Sequence, residues 1–336
     1  MTHLATDILV IGAGFAGAMI AAHLAERNAR VGIVDAQRVG QGATRRALRL
    51  ATPSPHPAHL HETKRGLERL RHITEQHGAL LQSCSVVHLA TTPERREALQ
   101  RLADANAGAG IEWVDQLDAL PAGLGGGLLI HDSALVDIDR LMVRLLRHPN
   151  ITVRQHAQVF KLESRRDMTY VLCKGYTLSA LCVVLATNAY VGLLSPYLAD
   201  SVRAARGAVW TSRPLHNSAT APLHLSMPLV FDDGQLTLMP DSDSQVQAAA
   251  WLWHEHQASK DPTDELRRFL KRFGLGKPEQ TSQWTTGVTT VTDDGAPRVG
   301  RLDADGTVLY ALGLGLYGLA WSAIAAERTA ELAFTG

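Results

Sequence analysis

The chain is poor in several features that would narrow its role at once. Only three cysteines occur among 336 residues, Cys84, Cys173 and Cys182, and they show no CxxC or other metal-ligand spacing. A disulfide framework and a cysteine-based metal site are therefore not indicated. Cys173 and Cys182 fall in strand-like segments and are expected to be buried and inert. Net charge is missing as well: Lys+Arg and Asp+Glu both number 33. That balance removes the electrostatic argument for nucleic acid or another polyanion as a partner. No apolar run approaches the ~20 residues of a membrane-spanning helix. The first residues, MTHLATD, carry no basic-then-apolar leader pattern, so a cytoplasmic location is the expectation. No internal repeat at solenoid periods and no low-complexity stretch is found.

What is present is enough apolar sequence, 46% of residues, to build a large core and two domains. The most informative stretch is ILVIGAGFAGAMIAAHLAE, residues 8–26. Residues 7–11 read as a buried parallel strand, 16–27 as a helix, and 30–35 as a second strand, a βαβ unit. Gly12, Gly14 and Gly17 have the spacing G-x-G-x-x-G. Gly12 permits a tight turn, Gly14 lets the main chain approach a pyrophosphate, and Gly17 lets helix pack closely on strand. The helix start offers unpaired N–H groups and a positive dipole end. Asp35 closes the second strand near the expected spacing of about 20 residues for a carboxylate that binds ribose hydroxyls. The plainer alternative is a glycine turn without a ligand and an acidic strand end facing water. The strand before and the helix after favour the dinucleotide. The fingerprint alone does not separate NAD from FAD.

Further along, residues 40–57 read as irregular, including a Pro/His-rich loop at 52–61, and 60–77 as a helix. Residues 85–90 are strand-like. Thr92 is set to cap a helix from Pro93 to about 107. Asp137 opens another amphipathic helix. Residues 151–163 alternate like paired strands, as do 169–189. GLGGG at 123–127 reads as a flexible turn. From about 206 to 256 strands dominate; a helix then begins at Pro262, with Gly274 as its C-cap. The β/α character returns after Gly287. His56, His59 and His61 raise a zinc question, but no cysteine or carboxylate cluster accompanies them apart from Glu62, and no metal is expected. A lid or entrance loop is the reading for that segment.

Two later segments decide the cofactor by resemblance. CVVLATNAY (182–190) resembles the strand that returns beside the glycine loop in flavoproteins with two-dinucleotide folds. TTGVTTVTDDGAPRVGRL, followed by VLYALGLGLYGLAW, resembles their C-terminal signature. In combination with Gly12, Gly14, Gly17 and Asp35, these segments resemble the D-amino-acid oxidase, glycine oxidase and sarcosine oxidase superfamily of FAD-dependent amine oxidoreductases over nearly the whole length. Asp35 stands where glutamate is more usual.

The resemblance implies an α/β fold with a two-dinucleotide-binding, Rossmann-like FAD domain and an inserted sheet-rich α+β substrate domain. The expected division is 1–80, 132–205 and 286–336 for the FAD domain, and 81–131 with 206–285 for the substrate domain. It implies that FAD meets Gly12, Ala13, Gly14, Phe15, Ala16 and Gly17, then Asp35, Ala36 and Gln37, then Gly42, Ala43, Thr44 and Arg46. Val159, Ala186 and Thr187 follow, and finally Gly313, Gly315, Leu316, Tyr317, Gly318 and Leu319. In the family signature Gly313, Gly315 and Gly318 let backbone N–H groups approach the flavin ring. Non-covalent FAD is expected, because the segment where some members carry a flavin-linked cysteine reads Val-Thr-Thr-Val here.

The implied reaction moves a hydride from a carbon bearing an amine to the flavin, and the imine then hydrolyses. Oxygen or a quinone-type redox partner would take the electrons. The cations with which relatives anchor a substrate carboxylate are missing at positions 288–290, 316–317 and 320. Arg46 and Arg49 have the spacing of an arginine pair in the flavin-proximal loop of sarcosine oxidase, which makes Arg49 the candidate carboxylate anchor. The alternative is that these arginines are solvated or pair with FAD phosphate. His56 and Tyr317 are the other candidates for positioning substrate. Trp210, Phe231, Trp251 and Trp253 are candidates for lining the pocket, or for ordinary core packing. Two other functions stay open: a flavin dehydrogenase of a 2-hydroxy acid or polyol phosphate, and an FAD-binding subunit of a larger complex.

Overall fold

The computed structural model describes residues 3–115, 126–165, 168–212, 227–240, 245–253, 259–272, 283–303 and 307–335. The chain runs β1 (His3–Ile11), α1 (Phe15–Glu26), β2 (Val31–Val34), β3 (Leu50–Ala51), α2 (Pro57–Gln76), β4 (Leu81–Leu89), α3 (Pro93–Ala105), β5 (Ile111–Val114), β6 (Gly127–Val136) and α4 (Ile138–Leu145). It continues β7 (Ile151–Arg154), β8 (Val159–Arg165), β9 (Met168–Cys173), β10 (Tyr176–Leu185), α5 (Pro196–Ala199), β11 (Arg203–Thr211), β12 (Leu229–Phe231), β13 (Leu236–Pro240) and β14 (Val246–Leu252). The last elements are α6 (Pro262–Arg272), β15 (Gln283–Val291), β16 (Arg298–Arg301), β17 (Val308–Leu312) and α7 (Gly318–Phe334).

Two sheets organise these elements. The first has the order β16-β17-β10-β1-β2-β7, with β9 on β10 and β8 on β9. Strands β17, β10, β1, β2 and β7 are parallel to one another, whereas β16 is antiparallel to β17 and β9 to β10. Their apolar runs are buried on both faces, as a covered parallel sheet requires. Ile8, Val10, Ile33, Val184 and Leu309 pack with α1, α4 and α7. The alternate residues Leu9, Ile11, Val34, Val183 and Leu185 pack on the other face with Val171, Val191 and Leu198. Helix α1 is buried nearly all round. Helix α2 crosses α7 so closely that a Cβ on Gly66 would overlap the Ala320 carbonyl. Cys173 and Cys182 are buried, and burial pushes the Cys182 thiol up to about 12.

The second sheet has the order β15-β11-β14-β13-β12-β4-β6-β3, with β5 on β6. It is antiparallel except where β12 runs parallel to β4. Ala208, Trp210, Phe231, Leu238, Ala248 and Ala250 turn one face to Leu266, Phe269 and Leu270 of α6.

The caps read from the sequence hold: Thr92 Oγ1 accepts from the Arg95 N–H, and the Asp137 carboxylate accepts from the Arg140 N–H. Two expectations need correction. The Pro/His-rich loop at 52–61 stops at His56, because Pro57 starts α2 and the His56 side chain caps it. Residues 151–163 form two strands that do not pair with each other: β7 joins β2 and β8 joins β9. Period-2 alternation identifies a strand but says nothing about its partner. Gly274 and residues 123–125 of the glycine turn lie outside the described residues.

Candidate functional site

A cavity of about 600 Å³ opens at the carboxyl ends of β1, β2, β10 and β17 and extends to the second sheet. The carboxyl edge of a parallel sheet is where open α/β folds bind ligands. At one end lie Gly12, Gly14, Phe15 and Ala16, with Asp35, Ala36 and Gln37 beside them. Gly12 has φ +109°, and a Cβ there would overlap the Ala186 carbonyl oxygen, so the loop can run under β10 only with glycine. The N-cap of α1 is Gly14, which has no side chain to offer, and the first turn carries no acid. A positive helix end thus faces the cavity. The Asp35 carboxylate accepts from the Ala13 N–H through Oδ2 and from the Gln37 N–H through Oδ1, each at 2.8 Å. Each oxygen keeps a lone pair for a further donor. Thr44 Oγ1 accepts from the Phe15 N–H at 2.9 Å, which draws residues 42–44 over the glycine loop.

Gly42, Ala43, Thr44, Val159, Ala186, Thr187, Gly315, Leu316, Gly318 and Leu319 also line the cavity. Thr187 Oγ1 is buried there with no partner among the described residues. Ala13 and Gly17 stand behind the loop: Ala13 is fully buried, and a Cβ on Gly17 would meet the Gly12 carbonyl. The turn before α7 departs from expectation. The Gly313 N–H donates to Thr290 Oγ1 at 3.2 Å and the Gly315 N–H to the Thr290 carbonyl at 3.1 Å. Thr290 Oγ1 in turn donates to Asn188 Oδ1, and Asn188 Nδ2 donates to Thr289 Oγ1. Of the three glycines expected to bring N–H groups to a flavin, Gly313 and Gly315 thus use their own to tie this turn to Thr290 of β15. The start of α7, with no side-chain cap at Tyr317, remains open toward the cavity.

None of the three substrate-positioning candidates lines the cavity. His56 Nδ1 accepts from the Ala58 N–H at the start of α2, and its ring stands 5.2 Å from that of His59. Arg49 and Tyr317 are half-buried outside the lining. The Arg46 guanidinium is held by the carbonyls of Gln41, Gly42 and Thr286, and its stem lies over Gly287. It belongs to a second, polar cavity of about 630 Å³ shared with Arg206, Lys260 and Asp261. Of the four aromatics, Trp251 and Trp253 line the main cavity, whereas Trp210 and Phe231 face α6. His88, Val230 and Thr237 also line it and were not singled out from sequence. Strand register alone brings them together, and register is not written in local pattern.

A glycine loop under β10, the positive start of α1 and a strand-end carboxylate, all on one cavity, fit an adenine dinucleotide. Residues 7–332 match the family model for FAD-dependent oxidoreductases of the D-amino-acid oxidase (DAO) type. The chain belongs to this family. It is 30% identical over 304 residues to the tRNA 5-methylaminomethyl-2-thiouridine biosynthesis bifunctional protein of Pseudomonas putida (strain W619), covering 82% of this chain and 44% of that protein. The chain therefore spans less than half the length of that relative. It is 24% identical over 329 residues to glycine oxidase of Geobacillus kaustophilus (strain HTA426), covering 90% and 85% of the two chains. Among solved structures, glycine oxidase from Geobacillus kaustophilus superimposes with a TM-score of 0.78 at 20% identity, over 98% of this chain and 95% of that one. L-Proline dehydrogenase from P. horikoshii superimposes with a TM-score of 0.80 at 17% identity, over 100% and 95%. The fold is the mixed α/β fold of this DAO family, and the family's cofactor is FAD. No helix among the described residues is long and apolar enough to cross a membrane.

Proposed function

We propose that this FAD-dependent oxidoreductase oxidises a carbon bearing an amine, in a small amine or amino acid, and that the imine product is hydrolysed by water. The observation that carries the reading is the single cavity joining the glycine loop of one sheet to an aromatic, largely apolar face of the other. FAD, when bound, supplies the hydride acceptor. The Gly12–Gly17 loop and the first turn of α1 would hold its pyrophosphate, and Asp35 its ribose. Leu316, Gly318 and Leu319 would meet the ring end, where the positive end of α7 favours negative charge. Trp251, Val230 and Val288 exclude water from the far end and disfavour a charged ammonium there, so the neutral amine is bound. On the same basis we assign the first sheet with its helices to the cofactor and the second sheet with α6 to the substrate; the bounds expected from sequence, 1–80, 132–205 and 286–336 against 81–131 and 206–285, cut through β6, β11 and β15 of the second sheet.

The test is a visible spectrum of the purified protein, then anaerobic titration with panels of amines and 2-hydroxy acids. Bleaching of the flavin band by amines alone supports the reading. Bleaching by hydroxy acids alone overturns it in favour of an alcohol dehydrogenation. Acid precipitation should release the flavin to the supernatant, since FAD is held without a covalent bond. A second reading, an amine carried on a tRNA base, is favoured by the name of the 30%-identical relative. The zero net charge weighs against it. Oxidation of small amines in the absence of tRNA separates the two.

A further inference from the structure

One buried group of the cavity has no role in the reading above. His88 is 3% exposed, and its Nε2 has no hydrogen-bond partner among the described residues. An unpaired buried nitrogen is costly and uncommon. Strand register shows which way its ring points. Val87 and Leu89, on either side, pair with Leu229 and Phe231, and all four pack in the cluster beneath α6. His88 therefore points to the opposite face. It pairs with Val230, and Val230 with Thr237; all three line the cavity in one row across the sheet. Thr237 pairs with Ala249, two residues before Trp251 on the same face. The Trp251 ring leans across Gly207, where a Cβ would collide with it. The indole thus leans toward β11, on the cavity face that carries the row.

Charge then narrows the ligand. Among the described lining residues there is no lysine or arginine, and the carboxylate is Asp35, which is tied to the glycine-loop end. Burial pushes the His88 pKa down to about 4, so the imidazole is neutral near pH 7. A neutral imidazole both accepts and donates a hydrogen bond but offers no counter-charge. A substrate carboxylate here would lose its water with no cation among the described lining residues in return.

We infer that His88 contacts the substrate and selects a compound whose group beside the reacting carbon is uncharged and hydrogen-bonding, such as a carboxamide, over the free carboxylate, with Trp251 packing on its apolar part. The inference rests on the amine reading only for the identity of the reacting carbon's nitrogen.

The probes are methoxyacetamide and methoxyacetate, which keep the outline of an N-methylglycine but carry no titrating amine. Each is added to the FAD-loaded protein, and the perturbation of the flavin spectrum gives an affinity. The amide is expected to bind at least about tenfold more tightly than the acid. His88→Ala should bring the two near parity, and His88→Asn should keep the preference. Equal or tighter binding of the acid, binding of neither, or an unchanged preference in His88→Ala would each overturn the assignment. The wild-type preference needs no variant, so misfolding of His88→Ala does not shelter the claim. If the amide analogue binds as expected while neither sarcosinamide nor any other amine reduces the flavin, the amine reading falls and the His88 assignment stands.

Discussion

The two ends of the cavity are built from different material. At the glycine-loop end the main chain forms the wall: Gly12 slips under Ala186, and the Ala13 and Gln37 N–H groups set Asp35 beside the start of α1. At the far end side chains form it: His88, Val230, Thr237 and Trp251 project from the strands of the second sheet. A main-chain cradle tolerates few substitutions. A row of side chains on a sheet can be exchanged without moving a strand. The difference shows how one fold keeps a cofactor while its chemistry diverges.

The comparison can be broken most sharply at Gly12. Gly12→Ala adds a Cβ at positive φ against backbone, which cannot yield, and should cost about 3 kcal/mol or more of cofactor binding, roughly a hundredfold or greater loss of affinity. Flavin content after purification and fluorescence titration of the apoprotein with FAD check this; unchanged affinity would remove the loop from the site.

The far end has its own signature in acid. His88 is neutral when folded, with a pKa of about 4, against 6.5 for an ordinary histidine. Below pH 6.5 the unfolded chain binds a proton that the folded chain refuses, so this group's contribution is fully present above pH 6.5 and is lost as pH falls toward 4. Urea unfolding should show about 3 kcal/mol of stability disappearing over that window in the wild type. The loss should be smaller by that amount in His88→Asn, and identical pH profiles for the two proteins would disprove it.

A milder change sharpens the contrast. Gly207→Ala pushes the Trp251 indole off its resting place while leaving the glycine loop untouched. Substrate affinity should fall by roughly tenfold, about 1.4 kcal/mol, with flavin content unchanged. Loss of flavin instead would mean that the two ends are mechanically one. The smallest effect is expected far from both. Arg65 and Arg69 of α2 each reach Glu327 of α7 at the surface, 3.2 and 2.9 Å away. Arg65→Ala should change stability by less than about 0.5 kcal/mol and leave binding alone, as equilibrium unfolding would show.

The same division explains what was legible in the sequence. The glycine spacing, Asp35, the Thr92 and Asp137 caps and the start of α6 are local patterns, each set within a few residues or one βαβ unit. The far end depends on pairing between distant strands. His88 is one histidine among fifteen until β4 is laid beside β12. Trp210 and Trp251 look alike in sequence, yet strand phase sends the first to α6 and the second to the cavity. The arginine pair shows the same limit. Its spacing made Arg49 the candidate for substrate and Arg46 for the cofactor, but sequence alone did not show that the Arg46 guanidinium is held by the carbonyls of Gln41, Gly42 and Thr286, the last brought near only by β15. Positions 289 and 290, noted for lacking arginine, carry threonines that bond to Asn188 and Gly313 instead.

Strand β10 sits in the middle of the first sheet, between β1 and β17. One of those neighbours precedes β10 in the chain and the other follows it, together with the helix α7 that packs on α1 and α2. During synthesis the glycine loop can form before β17 exists, but the wall that β17 and α7 supply cannot. A nascent chain stalled before β17 has β9 along only the first part of that edge of β10, and Val183, Val184 and Leu185 wait there without a partner strand.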